Sequence, residues 1–376
     1  MPEPVRLVES LDGIPAESWD ALHDGNPTLS HAFLDSLHRS GCASPATGWA
    51  PRYLTRWEQG SLAGAVPLYA KAHSYGEYVF DWAWAEAYER HGLAYYPKLL
   101  AAVPFTPVTG PRLMARSGAV REALARDLVE LAKREGASSL HVLFPDEAEA
   151  PALRRAGLME RSGVQFHWRN AGYGSFDDFL GALSQEKRKK IRQERRKVAE
   201  SGVVIRRATG HEASEADWDF FADCYRRTYR AHRSTPYLTR EFFGLLARRM
   251  PGGVLLVIAE REGRRVAAAL DLFSPCALYG RYWGAVEFVP GLHFEACYYQ
   301  AIEFAIERGI GRVEGGAQGE HKHARGFLPE KTRSFHWLAH PAFARAVDDF
   351  LAREGAGVAG YVDELNERSP FRKPGA

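Results

Sequence analysis

Residues 50–71 read APRYLTRWEQGSLAGAVPLYAK, and residues 253–275 read GVLLVIAEREGRRVAAALDLFSP. Each is an apolar run, a short polar turn containing glycine (Gln59-Gly60 and Glu262-Gly263), and a second apolar run. Two β-rich runs across such a turn predict a β-hairpin, so the chain carries one pattern twice. The elements after each hairpin repeat as well. Leu124, Leu128, Leu131 and Ala132 recur at helical spacing, Gly136 supplies the stop, and Ser139 to Phe144 is a short apolar strand. In the second copy Ile302, Ala305 and Ile306 mark the helix, Gly309 ends it, and Gly311 to Glu314 is the strand.

Hairpin, helix and strand in mixed order, twice over, predict an α/β fold of mixed α+β type with two tandem domains, each on a mixed central sheet. A chain of 376 residues is long enough for two cores. The span from Gly60 to Gly136 exceeds that from Gly263 to Gly309 by about 30 residues, which places an insertion over 75–111. Tyr75, Tyr78, Phe80, Trp82, Trp84, Tyr88, Tyr95, Tyr96 and Phe105 crowd into it. So much aromatic surface is costly in water, so the segment is expected to fold over a groove or against the other copy, or simply to pack as core. Turn residues from Asn170 to Ser175 set a boundary. The expected domains are 1–170, 171–340 opening with a basic helix, and 341–376 as a terminal helix with a tail frayed from Ser369.

Apolar residues make up 45% and charged residues 26%, an ordinary globular balance that excludes a disordered or fibrous chain. A net charge of +2 gives the whole protein no pull toward nucleic acid, so any anion site must be local. The four cysteines, Cys42, Cys224, Cys276 and Cys297, form no CxxC pair and suggest neither a disulfide framework nor zinc. With no apolar stretch in the first residues and no run of the ~20 apolar residues that span a bilayer, the expectation is a cytoplasmic protein.

Three segments carry the side chains of chemistry. Glu186 to Lys197 is a helix former's run in which Lys187, Arg188, Lys190, Arg192 and Arg195 gather positive charge suited to phosphates or tRNA; a solvated helix face is the alternative. Gly315 to Phe327, GGAQGEHKHARGF, follows a strand end, where α/β sheets present ligands. Its glycines allow close backbone approach, and Glu320, His321, Lys322 and Arg325 supply a base, a titratable ring and two cations, with Gln318 and Gly319 as substrate contacts. Acyl transfer to an amine needs a base for the ammonium proton and donors or cations for the oxyanion. His321 and His323 fix no third ligand, so no metal is assigned. Glu295, in the string Leu292 to Tyr299 that opens the second helix, is a further carboxylate, and Cys297 reads as a buried small hydrophobe.

The strings His293 to Tyr299, Gly316 to Lys322 and Arg325 to Phe327, with Pro104 to Leu113 in the first half, resemble the FemAB-like family of predicted N-acyltransferases, and the resemblance spans nearly the whole chain. It implies two domains of the GNAT (acyl-CoA N-acyltransferase) fold, with an acyl or aminoacyl group passed to an amine, as on a cell-wall peptide precursor. Aminoacyl-tRNA or acyl-CoA would be a co-substrate rather than a bound cofactor. Glu320, His321, Lys322 and Glu295 would then be catalytic, with Arg325, Tyr282 and Trp283 on the substrate. One departure matters: neither hairpin is followed by the R/Q-x-x-G-x-G/A loop of acetyl-CoA enzymes, and Arg281 to Ala285 only approaches it. Acyl-CoA-dependent N-acetylation of a small amine or protein is the second reading, and non-catalytic ligand recognition the third.

Overall fold

Both hairpins are present, and they turn in the same way. Gln59 and Gly60 have φ of 50° and 75°, and Glu262 and Gly263 have 52° and 72°. Two consecutive left-handed residues make the turn whose twist matches that of the flanking strands. Glycine at the second position carries that geometry without strain.

The computed structural model describes residues 5–316 and 319–372. The chain divides into two units, Met1–Val164 with Lys331–Gly360 and Gln165–Glu330 with Tyr361–Ala376. The first contains β1 (Arg6–Val8), α1 (Ala16–Asp20), α2 (His31–Arg39), β2 (Trp49–Pro51), β3 (Tyr53–Glu58), β4 (Ser61–Val66), β5 (Leu68–Lys71), α3 (Trp82–Arg90), β6 (Lys98–Ala101), β7 (Met114–Ala115), α4 (Gly118–Arg134), β8 (Ser139–Leu143), α5 (Ala150–Arg155) and the start of β9 (Met159–Arg169). The second holds the rest of β9, then α6 (Phe176–Ala182), α7 (Gln185–Glu200), β10 (Val203–Thr209), α8 (Glu215–Ala231), α9 (Arg240–Arg249), β11 (Val254–Arg261), β12 (Arg264–Phe273) and β13 (Ala277–Ala285). After these come α10 (Leu292–Phe294), a π turn (Glu295–Tyr299), α11 (Gln300–Glu307), β14 (Arg312–Glu314) and the start of β15 (Leu328–Leu338). Most of β15 and of α12 (Pro341–Glu367) return to the first unit.

In the first unit β1, β3, β4 and β7 form one antiparallel sheet. Pro67 separates β4 from β5, which pairs instead with β2 and β6; proline has no N–H for a ladder, so the strand changes partners there. β6 runs parallel to β8, and β15 pairs antiparallel with β8. Leu124, Leu128, Leu131 and Ala132 on α4 are buried against Leu54, Val66 and Leu140.

The second unit shows the same order of pairings. β10, β11, β12 and β13 are successive antiparallel neighbours, β13 is parallel to β14, and β14 is antiparallel to β9. Val254 to Ala259 are all buried, as a strand covered on both faces requires. Ile191 and Val198 form the thin apolar seam by which α7 holds to this unit.

The packed-core reading of 75–111 holds, and two other expectations are revised. The segment 75–111 is an integral part of the first unit: it supplies α3 and the interior strand β6, with Trp84, Tyr88, Tyr95 and Phe105 buried. The expected bounds 171–340 and 341–376 assumed a simple sequel, whereas Lys331–Gly360, with most of β15 and α12 (Pro341–Glu367), belongs to the first unit and Tyr361–Ala376 to the second. The expected frayed tail is pinned as far as Arg372: Ser184 N–H donates to Pro370 O and Arg372 N–H to Ala182 O. Residues 373–376 lie outside the described residues.

Candidate active site in the second unit

The parallel pair β13 and β14 lasts three residues, Ala277, Leu278 and Tyr279 against Arg312, Val313 and Glu314. Beyond it the strands part. Gly280, Tyr282 and Trp283 stay paired to β12, while Gly315 N–H turns to Phe166 O at 3.4 Å. A cavity of about 310 Å3 opens in the gap. Its walls are Gly280, Arg281, Tyr282 and Trp283 from β13, Ala269 and Asp271 from β12, His293, Cys297 and Tyr298 from the helix, and Gly315, Gly316, His321 and Lys322 from the loop after β14. A cleft past the carboxyl ends of parallel strands is where open α/β sheets bind ligands.

Lys322 is the buried cation of this cavity, and the half-buried Arg281 is a second cation on its wall. Lys322 is 2% exposed, and its Nζ donates to Gly316 O at 3.1 Å. A Cβ on Gly315 would stand 3.0 Å from Lys322 Cδ, so the missing side chain makes room for the lysine stem. Burial lowers the Lys322 pKa to about 8, with the Cys297 thiol opposing the shift. At neutral pH the ammonium is still mostly charged, yet close to releasing its proton.

His321 reaches the same cavity, and its Nε2 lies 3.0 Å from Tyr298 OH. Burial and the nearby Lys322 and Arg325 charges lower its pKa, so the ring is neutral near pH 7. Gly319, at φ 118°, sets that ring: a Cβ there would fall 2.4 Å from His321 Cε1. His293 lies edge-on to Trp283 at 5.5 Å and Tyr298 at 5.4 Å, and burial lowers its pKa to about 4. The cavity therefore has aromatic walls and neutral imidazoles around one ammonium.

Other residues expected in the site go elsewhere. Glu320 is exposed, accepts from Tyr361 OH at 3.4 Å and lies 3.9 Å from Arg368. Glu295 is buried and bound by Arg195 Nε and Nη2 at 3.0–3.2 Å and by Gln300 Nε2 at 2.8 Å. Arg325 donates from Nη2 to Glu194 at 2.7 Å, from Nε to Tyr299 OH at 3.0 Å and from Nη1 to His321 O at 2.7 Å, with its guanidinium over the Phe294 ring. These two arginines fasten α7 to the helix and loop that build the cavity, and neither lines it. Tyr282 and Trp283 do line it, and Gln318 lies outside the described residues. His323 sits beside Phe166 at 6.4 Å while His321 faces the cavity, so the two histidines diverge. Burial pushes the Cys297 thiol well above its ordinary value, which leaves it protonated and a poor nucleophile.

The basic helix divides its charges. Arg195 is spent on Glu295 and Glu303, Lys187 pairs with Glu186 at 3.1 Å, and Arg192 with Asp177 at 3.0 Å, the last at the surface. Lys189, Lys190, Arg196 and Lys197 are exposed, and Arg188 is half-buried. The solvent face of α7 is thus strongly positive, whereas its inner face is a structural fastening.

One wall residue stands apart from every motif. Asp271 is 1% exposed, its Oδ2 makes no hydrogen bond, and burial raises its pKa well above the usual carboxylate range. It is located at a register shift in the β12–β13 pairing. In the sequence it is one acidic residue inside an apolar strand, and no spacing rule singles it out.

The repeated order of an antiparallel meander, a parallel pair that parts and a helix between its strands defines two GNAT-like domains in tandem. The chain belongs to the FemAB_like family (peptidoglycan biosynthesis/recognition), which it matches over residues 10–373. Among solved structures it is similar to FemX, at 13% identity and TM-score 0.58, with 92% of this chain and all of that one covered. It is also similar to L-PGS from Bacillus licheniformis, at 10% identity and TM-score 0.54, covering 91% of this chain and 98% of that one. A tandem GNAT protein from the clavulanic acid biosynthesis pathway matches at 13% identity and TM-score 0.46, over 90% of this chain and 99% of that one. No curated protein sequence matches. Among the described residues no helix is long and apolar enough to cross a membrane, and no cluster of three or more His, Cys, Asp or Glu is placed to hold a metal.

Proposed function

We propose that the second unit carries the active site of an N-acyltransferase that passes an acyl or aminoacyl group to an amine of a cell-wall peptide precursor in the cytoplasm. The observation that carries this reading is Lys322, a buried ammonium on the wall of the cavity between the parting strands. Attack of an amine on an ester or thioester carbonyl puts negative charge on the carbonyl oxygen. A fixed cation in a site of low dielectric stabilises that charge far better than water does. The His321–Tyr298 pair supplies further donors beside it.

Aminoacyl-tRNA is the donor this reading favours. The exposed Lys189, Lys190, Arg196 and Lys197 offer a polyanion a positive face on the unit that holds the cavity. Acyl-CoA is the alternative donor, and the absence of a Gly-rich pyrophosphate loop after either hairpin counts against it. Thermal shift decides between them. A donor that binds the folded state raises the melting temperature. Stabilisation by charged tRNA that fades as salt rises supports the first donor. Stabilisation by CoA thioesters alone moves the reaction to the second and leaves α7 without a role in binding. Stabilisation by neither overturns the acyltransfer reading.

A further inference from the structure

The reaction needs a base, and neither carboxylate expected for that task reaches the cavity: Glu320 is at the surface and Glu295 is tied to Arg195. Asp271 does reach it. Resting on the acyltransfer reading, we infer that Asp271 is the catalytic base that receives the acceptor's ammonium group and takes its proton, so that the acceptor's reacting group is a primary amine lodged against β12.

Four features of the site support this. Asp271 lies on the cavity wall, and its Oδ2 is buried without a hydrogen bond, so the carboxyl is one partner short beside a space that a ligand can enter. Gly280, directly opposite on β13, leaves open the space beside the carboxyl that a Cβ would occupy in contact with Asp271 Oδ1 at 3.6 Å. Arg281 and Tyr282 of β13, Cys297 and Tyr298 of the π turn, His293, His321 and Lys322 are the other titratable groups on these walls, and the His321 ring is already engaged with Tyr298 OH at 3.0 Å. Of them Lys322 is the cation that would hold the carbonyl oxygen while Asp271 holds the nitrogen. Finally, burial shifts the free carboxyl toward its neutral form, and an entering ammonium gives the carboxylate the partner it lacks.

The step balances without a co-reactant beyond the proposed donor. The ammonium passes one proton to the Asp271 carboxylate, and the freed nitrogen lone pair attacks the carbonyl carbon of the acyl ester or thioester. As the C–N bond forms, the carbonyl oxygen becomes an oxyanion beside Lys322. The oxyanion collapses, the C–O or C–S bond breaks, and the leaving group takes the second nitrogen proton. Amide and free alcohol or thiol remain, and the proton on Asp271 returns to water.

The test is calorimetric titration of the whole chain at pH 7 in two buffers of different ionisation enthalpy. The probe is Nα-acetyl-lysine methylamide, and the control is Nα-acetyl-norleucine methylamide, which has the same stem and no amine. Burial raises the Asp271 pKa in the empty site, so amine binding at its carboxylate is expected to release protons, with the control at least about tenfold weaker. Asp271→Asn replaces a neutral acid by a neutral amide of the same shape, so the variant should fold; it should bind the probe about tenfold more weakly or worse, with no proton released. Equal binding by Asp271→Asn and the parent, or equal binding of probe and control, overturns the assignment. If the probe fails to bind while a donor still raises the melting temperature, the amine subsite is wrong and the acyltransfer reading stands. If neither binds, the reading itself fails and takes this assignment with it.

Discussion

Replacing Lys322 by methionine should make the protein more stable while removing its chemistry. Burial moves the Lys322 pKa from 10.5 to about 8. At about 1.4 kcal/mol for each pK unit, holding that ammonium in the fold costs about 3 kcal/mol at neutral pH. The unfolded chain binds the proton more tightly, so the penalty is present below pH 8. It is relieved as pH rises from about 8 to about 10.5, where the folded group is already neutral. The parent's unfolding free energy should therefore climb across that interval. Methionine keeps most of the stem packing but leaves Gly316 O without its donor, a loss of about 1 kcal/mol. The expected net gain for Lys322→Met is about 2 kcal/mol at pH 7, shrinking to nothing or reversing near pH 10. Urea unfolding of both proteins at pH 7 and pH 10 measures it. A variant less stable than the parent at pH 7, or this residue's pH dependence with the opposite slope, would refute the reasoning.

Gly315→Ala should push the Lys322 stem aside, since the new methyl would sit 3.0 Å from Cδ; turnover should fall severalfold, while stability drops by about 1 kcal/mol in the same urea assay. Arg325→Met leaves Glu194 without its cation and held only by Tyr299 OH, so about 3 kcal/mol of stability should go, and Arg325→Met with Glu194→Gln should recover much of it in a double-mutant cycle. Changing Lys189, Lys190 and Lys197 together to glutamine should leave stability within about 0.5 kcal/mol. The same change should flatten the salt dependence of tRNA binding by about three charges, read from affinities at several salt concentrations. Glu320→Ala should keep turnover within about twofold, because an exposed carboxylate away from the cavity has little to contribute.

The hairpins were legible because their information is local. Apolar runs around Gln59-Gly60 and Glu262-Gly263 need only a turn that tolerates left-handed residues, and the chain spells out both. The position of the loop from Gly315 to Phe327 was legible in the same way, from a strand that runs into glycines. The hidden features depend on distant partners. Arg325, Glu194, Arg195 and Glu295 read as free charges until folding brings residues about a hundred positions apart into contact, and then they become fastenings. Asp271 is the reverse case, a residue that looks like an interruption of an apolar strand and turns out to face a cavity. β6 was hidden by its surroundings, because prolines and aromatics on either side of Lys98 to Ala101 mask a strand of four residues. The return of β15 and α12 to the first unit leaves no mark in local pattern at all.

Single-turnover transfer from labelled aminoacyl-tRNA to a cell-wall pentapeptide precursor, run with the parent and with Lys322→Gln, tests the central claim most directly. The parent should form a new amide, and the variant should lose about a hundredfold or more in rate while still binding tRNA at low salt, since the cation acts on the oxyanion and not on α7. An unchanged rate in the variant would remove the cavity between β13 and β14 from the chemistry.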